Sequence, residues 1–288
     1  VRDDYSAAMR YLRRREFALR AGLHVLVPPE ALPHILAAAA LARYTDDLCD
    51  RGPIDGRQQR FDEWAGHVGA ALDSGSSRHR LIRAYLHSAN LLNLSREWID
   101  AYLMGTRIDL EFPGFADEAD YQRYIDTVAL PSLMLGIEAV PRLVADRCFV
   151  SSCRLIADGA QRTDFLVDLF EDLRNGRLPL PVCDLDRHGV TRADLRDGLD
   201  TPAVRALIYA TVSSARAALA QGEQILDEVA PDYRPIFRFA IGMCHQRLND
   251  VATHGVAVIR RPYHDGLVAC LRVIIRSRHG CITESPVW

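Results

Sequence analysis

Asp164-Phe165-Leu166-Val167-Asp168-Leu169-Phe170-Glu171-Asp172 sets acids four residues apart among large apolar side chains. On a helix such positions share a face within one turn, so the segment reads as apolar helix that presents Asp168 and Asp172 together, with Glu171 on the flank. Upstream, Arg43-Tyr44-Thr45-Asp46-Asp47-Leu48-Cys49-Asp50 closes the apolar run from Ile35 to Leu41 and repeats the pattern with Asp46 and Asp50. Like charges at this spacing repel by roughly 0.2–0.5 kcal/mol when exposed and by far more when desolvated. A cation between them reverses the sign. One Asp-Asp-x-x-Asp is ordinarily a solvated helix end, but two such motifs in apolar helix, facing each other across a bundle, make an oxygen-rich site for a hard cation. Magnesium suits it, because that ion keeps several waters and takes one or two carboxylates plus phosphate oxygens.

The same helical spacing of apolar residues runs outward from these motifs. It predicts helices over Arg10 to Leu26, Ala31 to Cys49, Gln58 to Leu72, Ser77 to Leu92, Arg96 to Leu110, Tyr121 to Val140 and Cys148 to Leu173. After a loop, Thr191 to Gly198, Pro202 to Val229, Tyr233 to Ile259 and Gly266 to Arg278 continue the pattern. Strand-type alternation is scarce, and the Gly- and Pro-containing linkers between segments are short. The fold class expected is all-α, a single helical domain over residues 1–288 built from about ten helices.

Composition narrows the function. Hydrophobic residues make up 49% and charged residues 25%, the profile of a chain with a substantial core. A net charge of -3 gives no reason to expect a nucleic-acid partner. All basic residues are Arg, so lysine-based covalent chemistry is excluded. The 7 cysteines are scattered without a Cys-x-x-Cys pair, which argues against a disulfide framework and a zinc site. No apolar segment reaches the length of a signal peptide or a bilayer span, and a reducing cytoplasm is the expected location. No glycine-rich nicotinamide motif occurs.

Three arginines flank the acidic motifs. Arg43 lies in the apolar helix one turn before Asp46 and is placed for a diphosphate oxygen. Arg174 reads as a cation at a helix C-terminus. Arg177, in the following loop, suits either role.

The run from Gln161 to Asp172, continued by Leu173-Arg174-Asn175-Gly176-Arg177-Leu178-Pro179-Leu180-Pro181, resembles the signature of the squalene and phytoene synthases. Arg43 with Asp46, Asp47 and Asp50 is similar to that family's first aspartate motif. Gly105-Thr106-Arg107-Ile108-Asp109-Leu110 looks like its Gly-Met-x-x-Asp-Leu element, and Tyr124 with Val128-Ala129 matches the next. The resemblance covers about residues 10 to 275. It implies an isoprenoid-synthase bundle around a central cavity, in which Asp46, Asp50, Asp168 and Asp172 hold magnesium against a prenyl diphosphate and Arg43 and Arg177 bind the diphosphate. Ionisation would leave an allylic cation shielded from water.

Several positions depart from the family pattern. Leu130 and Leu133 replace glycines, which predicts a shorter cavity lined by Tyr124, Ala129, Leu130, Leu133, Asp164 and Val167. Asp164 stands where the family usually has Asn, Val167 where it has Arg, Pro179 and Ala39 where it has Tyr. These departures favour transfer of a short, dimethylallyl-type group from a prenyl diphosphate donor to an aromatic acceptor such as a carbazole, ahead of head-to-head coupling of farnesyl or geranylgeranyl diphosphate. Terpene cyclisation comes third. An inactive prenyl-diphosphate-binding scaffold is the reading from another class, and retention of all four aspartates argues against it.

Overall fold

The computed structural model describes residues 2–13, 17–50, 55–112, 114–141, 143 and 145–280, with the backbone alone at 13, 17–20 and 50. Among them every regular element is helical, as the periodicity predicts. The first part of the chain forms α1 (Arg2–Arg13), α2 (Phe17–Leu26), α3 (Leu32–Asp50), α4 (Arg57–Ser74), α5 (Arg80–Leu92) and α6 (Arg96–Leu110). α7 (Glu118–Tyr124) passes through a π-helical turn, Ile125–Ala129, into α8 (Leu130–Ile137). α9 (Arg147–Val167) leads to α10 (Leu169–Arg174), α11 (Val182–His188), α12 (Arg192–Arg196), α13 (Pro202–Gly222) and α14 (Ile225–Glu228). α15 (Arg234–His254), a 3-10 turn at Gly255–Ile259 and α16 (Leu267–Arg278) complete it.

Helix starts follow local chemistry. Ser95, Asp117, Asp146 and Thr201 each accept a backbone N–H at the head of their helices, and Thr191 with Asp194 forms a reciprocal capping box. The segment expected as one helix from Cys148 to Leu173 divides at Asp168, yet the Asp168 amide still bonds the Asp164 carbonyl and the Asp172 amide the Asp168 carbonyl, both at 2.9 Å. The four-residue face of acids therefore survives the division. α11 was not expected; with seven residues between Pro181 and a left-handed Gly189, it is too short for a periodic signal.

α9 and α13 form the central pair of the bundle. A Cβ at Gly159 would fall 2.5 Å from Leu219 Cγ and 2.9 Å from the Ala215 carbonyl, so only glycine lets the two helices approach this closely. Around them one contiguous core includes α3 through Leu36, Ala38, Ala40 and Leu41, and α8 through Leu130, Met134 and Leu135. A second, small cluster of Leu26, Phe239, Met243, Cys270, Val273 and Ile274 fastens α16 to α2 and α15.

Candidate functional site

The second acidic motif gathers around one arginine. Arg177 donates to Asp109 at 3.1 Å, its Nε stands 3.7 Å from Asp172, and its guanidinium covers the Phe112 ring at 4.5 Å. Its backbone N–H also bonds the Asp172 carbonyl at 2.8 Å, which fixes the loop against α10. Tyr124 donates to the same Asp109 oxygen at 2.9 Å, so its hydroxyl is held as a donor and burial beside a carboxylate pushes its pKa up. Burial raises the Asp172 carboxyl to about 6; Arg177 opposes the shift, while Asp168, Asp109 and Glu171 add to it. Asp168 is exposed at the junction of α9 and α10.

Asp109 was quoted in the sequence as part of a motif but not assigned to the site. Gly105, one turn earlier, explains how it arrives there. A Cβ at Gly105 would lie 2.4 Å from the Thr127 carbonyl and 3.0 Å from Val128 Cα, so glycine lets the π-helical turn press against α6. That approach brings Tyr124 to Asp109. The glycine, the aspartate and the π turn act as one positioning device.

The first motif lies on α3. Tyr102 donates to the Ala42 carbonyl at 3.1 Å and to Asp46 at 3.2 Å, tying this carboxylate to α6. Arg43, expected at the diphosphate, pairs with buried Asp47 at 3.3 Å, and Asp47 also accepts from Tyr11. Asp47 thus serves as a structural anchor within the motif. Asp50 closes α3, and its side chain lies outside the described residues. Arg174 is exposed near the Phe170 ring, in agreement with its reading as a helix-end cation. Among the described residues no three His, Cys, Asp or Glu side chains converge to hold a metal ion.

A cavity of about 470 Å³ runs between α3, α8, α9 and α15. Ala38, Ala39 and Ala42 line it from α3, Ser132, Leu133 and Gly136 from α8, and Phe237 and Met243 from α15. Of the predicted lining residues Leu133 and Asp164 are in its wall. Tyr124, Ala129, Leu130 and Val167 are buried but are not among its lining residues. Leu130 packs in the core instead, because the π turn adds a residue and rotates α8 relative to an uninterrupted helix. Ala39, where the family pattern has a tyrosine, is part of the wall. Pro179 borders a separate cavity of about 60 Å³.

The polar end of the cavity is built from Asp164, Arg247 and Asp265. Arg247 donates to Asp164 at 2.9 Å and grips Asp265 through two bonds of 3.0 and 2.7 Å. Asp164 faces the cavity with protein on its other sides, and this desolvation raises its carboxyl to about 6 against the pull of Arg247. Sequence reading missed Arg247 and Asp265, since neither belongs to a short motif.

The acids relate to the cavity by helical register. Asp46 lies one turn beyond cavity-lining Ala42 on α3, and Asp168 one turn beyond cavity-lining Asp164 at the end of α9. Asp46 and Asp168 thus each follow a cavity-lining residue of their own helix by one turn.

The family model for squalene/phytoene synthase matches residues 14–267. The chain is 29% identical over 194 residues to a bifunctional protein CrtB/UppS of Streptomyces coelicolor, covering 67% of this chain and 34% of that protein. It is 30% identical over 226 residues to phytoene synthase 3, chloroplastic, of Zea mays, covering 73% of this chain and 50% of the other. With presqualene diphosphate synthase of Rhodopseudomonas palustris it shares 28% identity over 190 residues, 65% of this chain and 67% of the other. The match thus spans only about a third and a half of the first two relatives. In three dimensions the chain is similar to a dehydrosqualene synthase crystallised with ligand, with a TM-score of 0.86, 17% identity, and 97% and 96% of the two chains covered.

Proposed function

The chain belongs to the squalene/phytoene synthase family, and from this premise we propose that it ionises an allylic prenyl diphosphate and couples two such molecules head to head. The observation that carries the reading is that Asp46 and Asp168, one from each acidic motif, follow residues in the wall of an apolar cavity by one helical turn. The relatives, which are named as phytoene and presqualene diphosphate synthases, support the same choice. Transfer of a short group to an aromatic acceptor, favoured by the sequence departures, finds no support among them. Its structural premise weakens as well, because Leu130 is not in the cavity wall and about 470 Å³ falls within the range of pockets that enclose a drug-sized ligand, well above the size of a five-carbon group.

Asp172 is buried and crowded by Asp168, Asp109 and Glu171, whose charges add to burial in raising its pKa, and a magnesium ion bound with diphosphate oxygens would offset that charge. Asp46, Asp50, Asp168 and Asp172 would hold the ion, and when bound it supplies Lewis acidity and counter-charge to the diphosphate. Tyr102 ties Asp46 to α6, while Arg177 orders Asp109 and Asp172 and offers its remaining donors to a leaving diphosphate oxygen. The apolar wall keeps water from the allylic cation. Farnesyl and geranylgeranyl diphosphate, each incubated alone with the protein and magnesium, test the reading. The expected products are pyrophosphate with a dimeric hydrocarbon or cyclopropyl diphosphate. Monomeric alcohols or cyclic terpenes as the main products would overturn coupling.

A further inference from the structure

α16 is amphipathic in an unusual way. Cys270, Val273, Ile274 and Ser277 are buried against α2 and α15, yet the adjoining face leaves Leu267, Val268, Leu271 and Ile275 46–61% exposed. Arg272 and Arg276 border this stripe, Arg278 follows, and α16 contains no acid. Beside the stripe lies a groove of about 640 Å³ between the end of α15, the loop after the 3-10 turn and α16, with His254, Arg261, His264 and Arg272 in its wall. Its one carboxylate, Asp250, is occupied by Tyr263 at 2.9 Å and Gln246 at 3.1 Å. Val268 belongs to both stripe and groove.

We propose that α16 and this groove dock the protein on the surface of an anionic phospholipid bilayer. In this arrangement α16 lies in the interface with its exposed leucines, valine and isoleucine among the acyl chains, and a headgroup phosphate enters the groove beside Arg261 and Arg272. Charge complementarity selects this occupant. Pairing α16 with a second copy across the stripe would set Arg272 and Arg276 near their own equivalents without an acid in either helix. Among the described residues no helix is long and apolar enough to cross a membrane, so the contact is one of surface. Asp265 lines the central cavity and Gly266 the groove, so docking brings the polar end of the cavity to the lipid boundary. This inference stands on α16 and the groove, independently of the prenyl reading.

Flotation of the full chain with vesicles tests it. The protein is expected to float with vesicles of equal parts phosphatidylcholine and phosphatidylglycerol, to remain behind with phosphatidylcholine alone, and to dissociate as salt rises. Leu271→Asp with Ile275→Asp should reduce partitioning at least tenfold, and Arg272→Glu at least fivefold, with thermal midpoints unchanged because these side chains are exposed. Four results would each overturn the proposal. These are no flotation with the anionic vesicles, equal flotation with both vesicle types, flotation unaffected by the Leu271 and Ile275 changes, or a stable dimer that Ile275→Asp dissociates in place of vesicle binding. Protection of the groove by inorganic phosphate without vesicle binding also counts against it.

Discussion

Asp109 and Arg177 meet at 3.1 Å across a sequence separation of 68 residues, and Tyr124 donates to the same carboxylate oxygen at 2.9 Å. One carboxylate on α6 thereby fixes both the loop after α10 and the entry to the π turn. Arg177 also neutralises part of the charge that crowds Asp172.

Arg177→Leu should lower pyrophosphate release by at least about a hundredfold, since orientation and charge are lost together at the leaving group. The ion pair is about one third exposed, at 35% on each side, so the stability cost is no more than about 1 kcal/mol. Arg177→Lys keeps the charge without the planar fork and should recover only part of the rate. A Leu variant with normal turnover would remove Arg177 from the site.

Magnesium should be required. Release of pyrophosphate is expected to stop in excess chelator and return on adding the ion. Asp46→Asn and Asp168→Asn should each lower the rate below about a hundredth of the original, with an unchanged or raised thermal midpoint, because each removes a negative charge from an acidic motif. Undiminished turnover in chelator would reject the assignment.

Glu138 provides a pH test away from the site. Its carboxylate accepts the Ser95 amide at 3.1 Å, but burial raises its pKa from 4.5 to about 7. The folded state therefore binds a proton more tightly than the unfolded chain, and stability from this group falls as pH rises from about 4.5 to 7. Glu138→Gln retains an acceptor for Ser95 and carries no charge. It should raise stability by about 1–2 kcal/mol at pH 8 and leave it unchanged near pH 4. Equal denaturation midpoints for both proteins at pH 8 would contradict the shift.

The fold was legible because amphipathic spacing is a local property, visible in α3, α9, α13 and α15 alike. The helical register that pairs Asp46 with its apolar helix, and Asp168 with Asp172, was legible for the same reason, because it too is local. Leu130 was misplaced because the π turn at Ile125–Ala129 shifts the face of α8, and no pattern in that segment announces a π turn. Arg43 was read for the diphosphate from its place before Asp46; its pairing with Asp47 one turn on belongs to the same helix face and was equally within reach of the spacing. Arg247 and Asp265 stayed hidden because their partnership with Asp164 exists only once α9, α15 and the following loop are brought together.

The last prediction separates cavity wall from core on α8. Leu133 lines the cavity, Leu130 does not, and Gly136 lies on the cavity face where an added Cβ would meet nothing within 4 Å. Leu133→Ala should therefore extend the donor length accepted, whereas Leu130→Ala should cost about 2–5 kcal/mol in stability with no change in length preference, as expected for a truncated core residue. Gly136→Leu points the other way. Replacing glycine inside a helix favours folding by roughly 0.5–1 kcal/mol, so the variant should be as stable as the original or more so while its side chain fills the chamber. Its preference should move toward shorter diphosphates, read as the ratio of kcat/KM for geranyl, farnesyl and geranylgeranyl donors. If Gly136→Leu left that ratio unchanged while Leu130→Ala altered it, the prenyl chain would have to lie along the Leu130 face, and the cavity described above would not be the one that holds it.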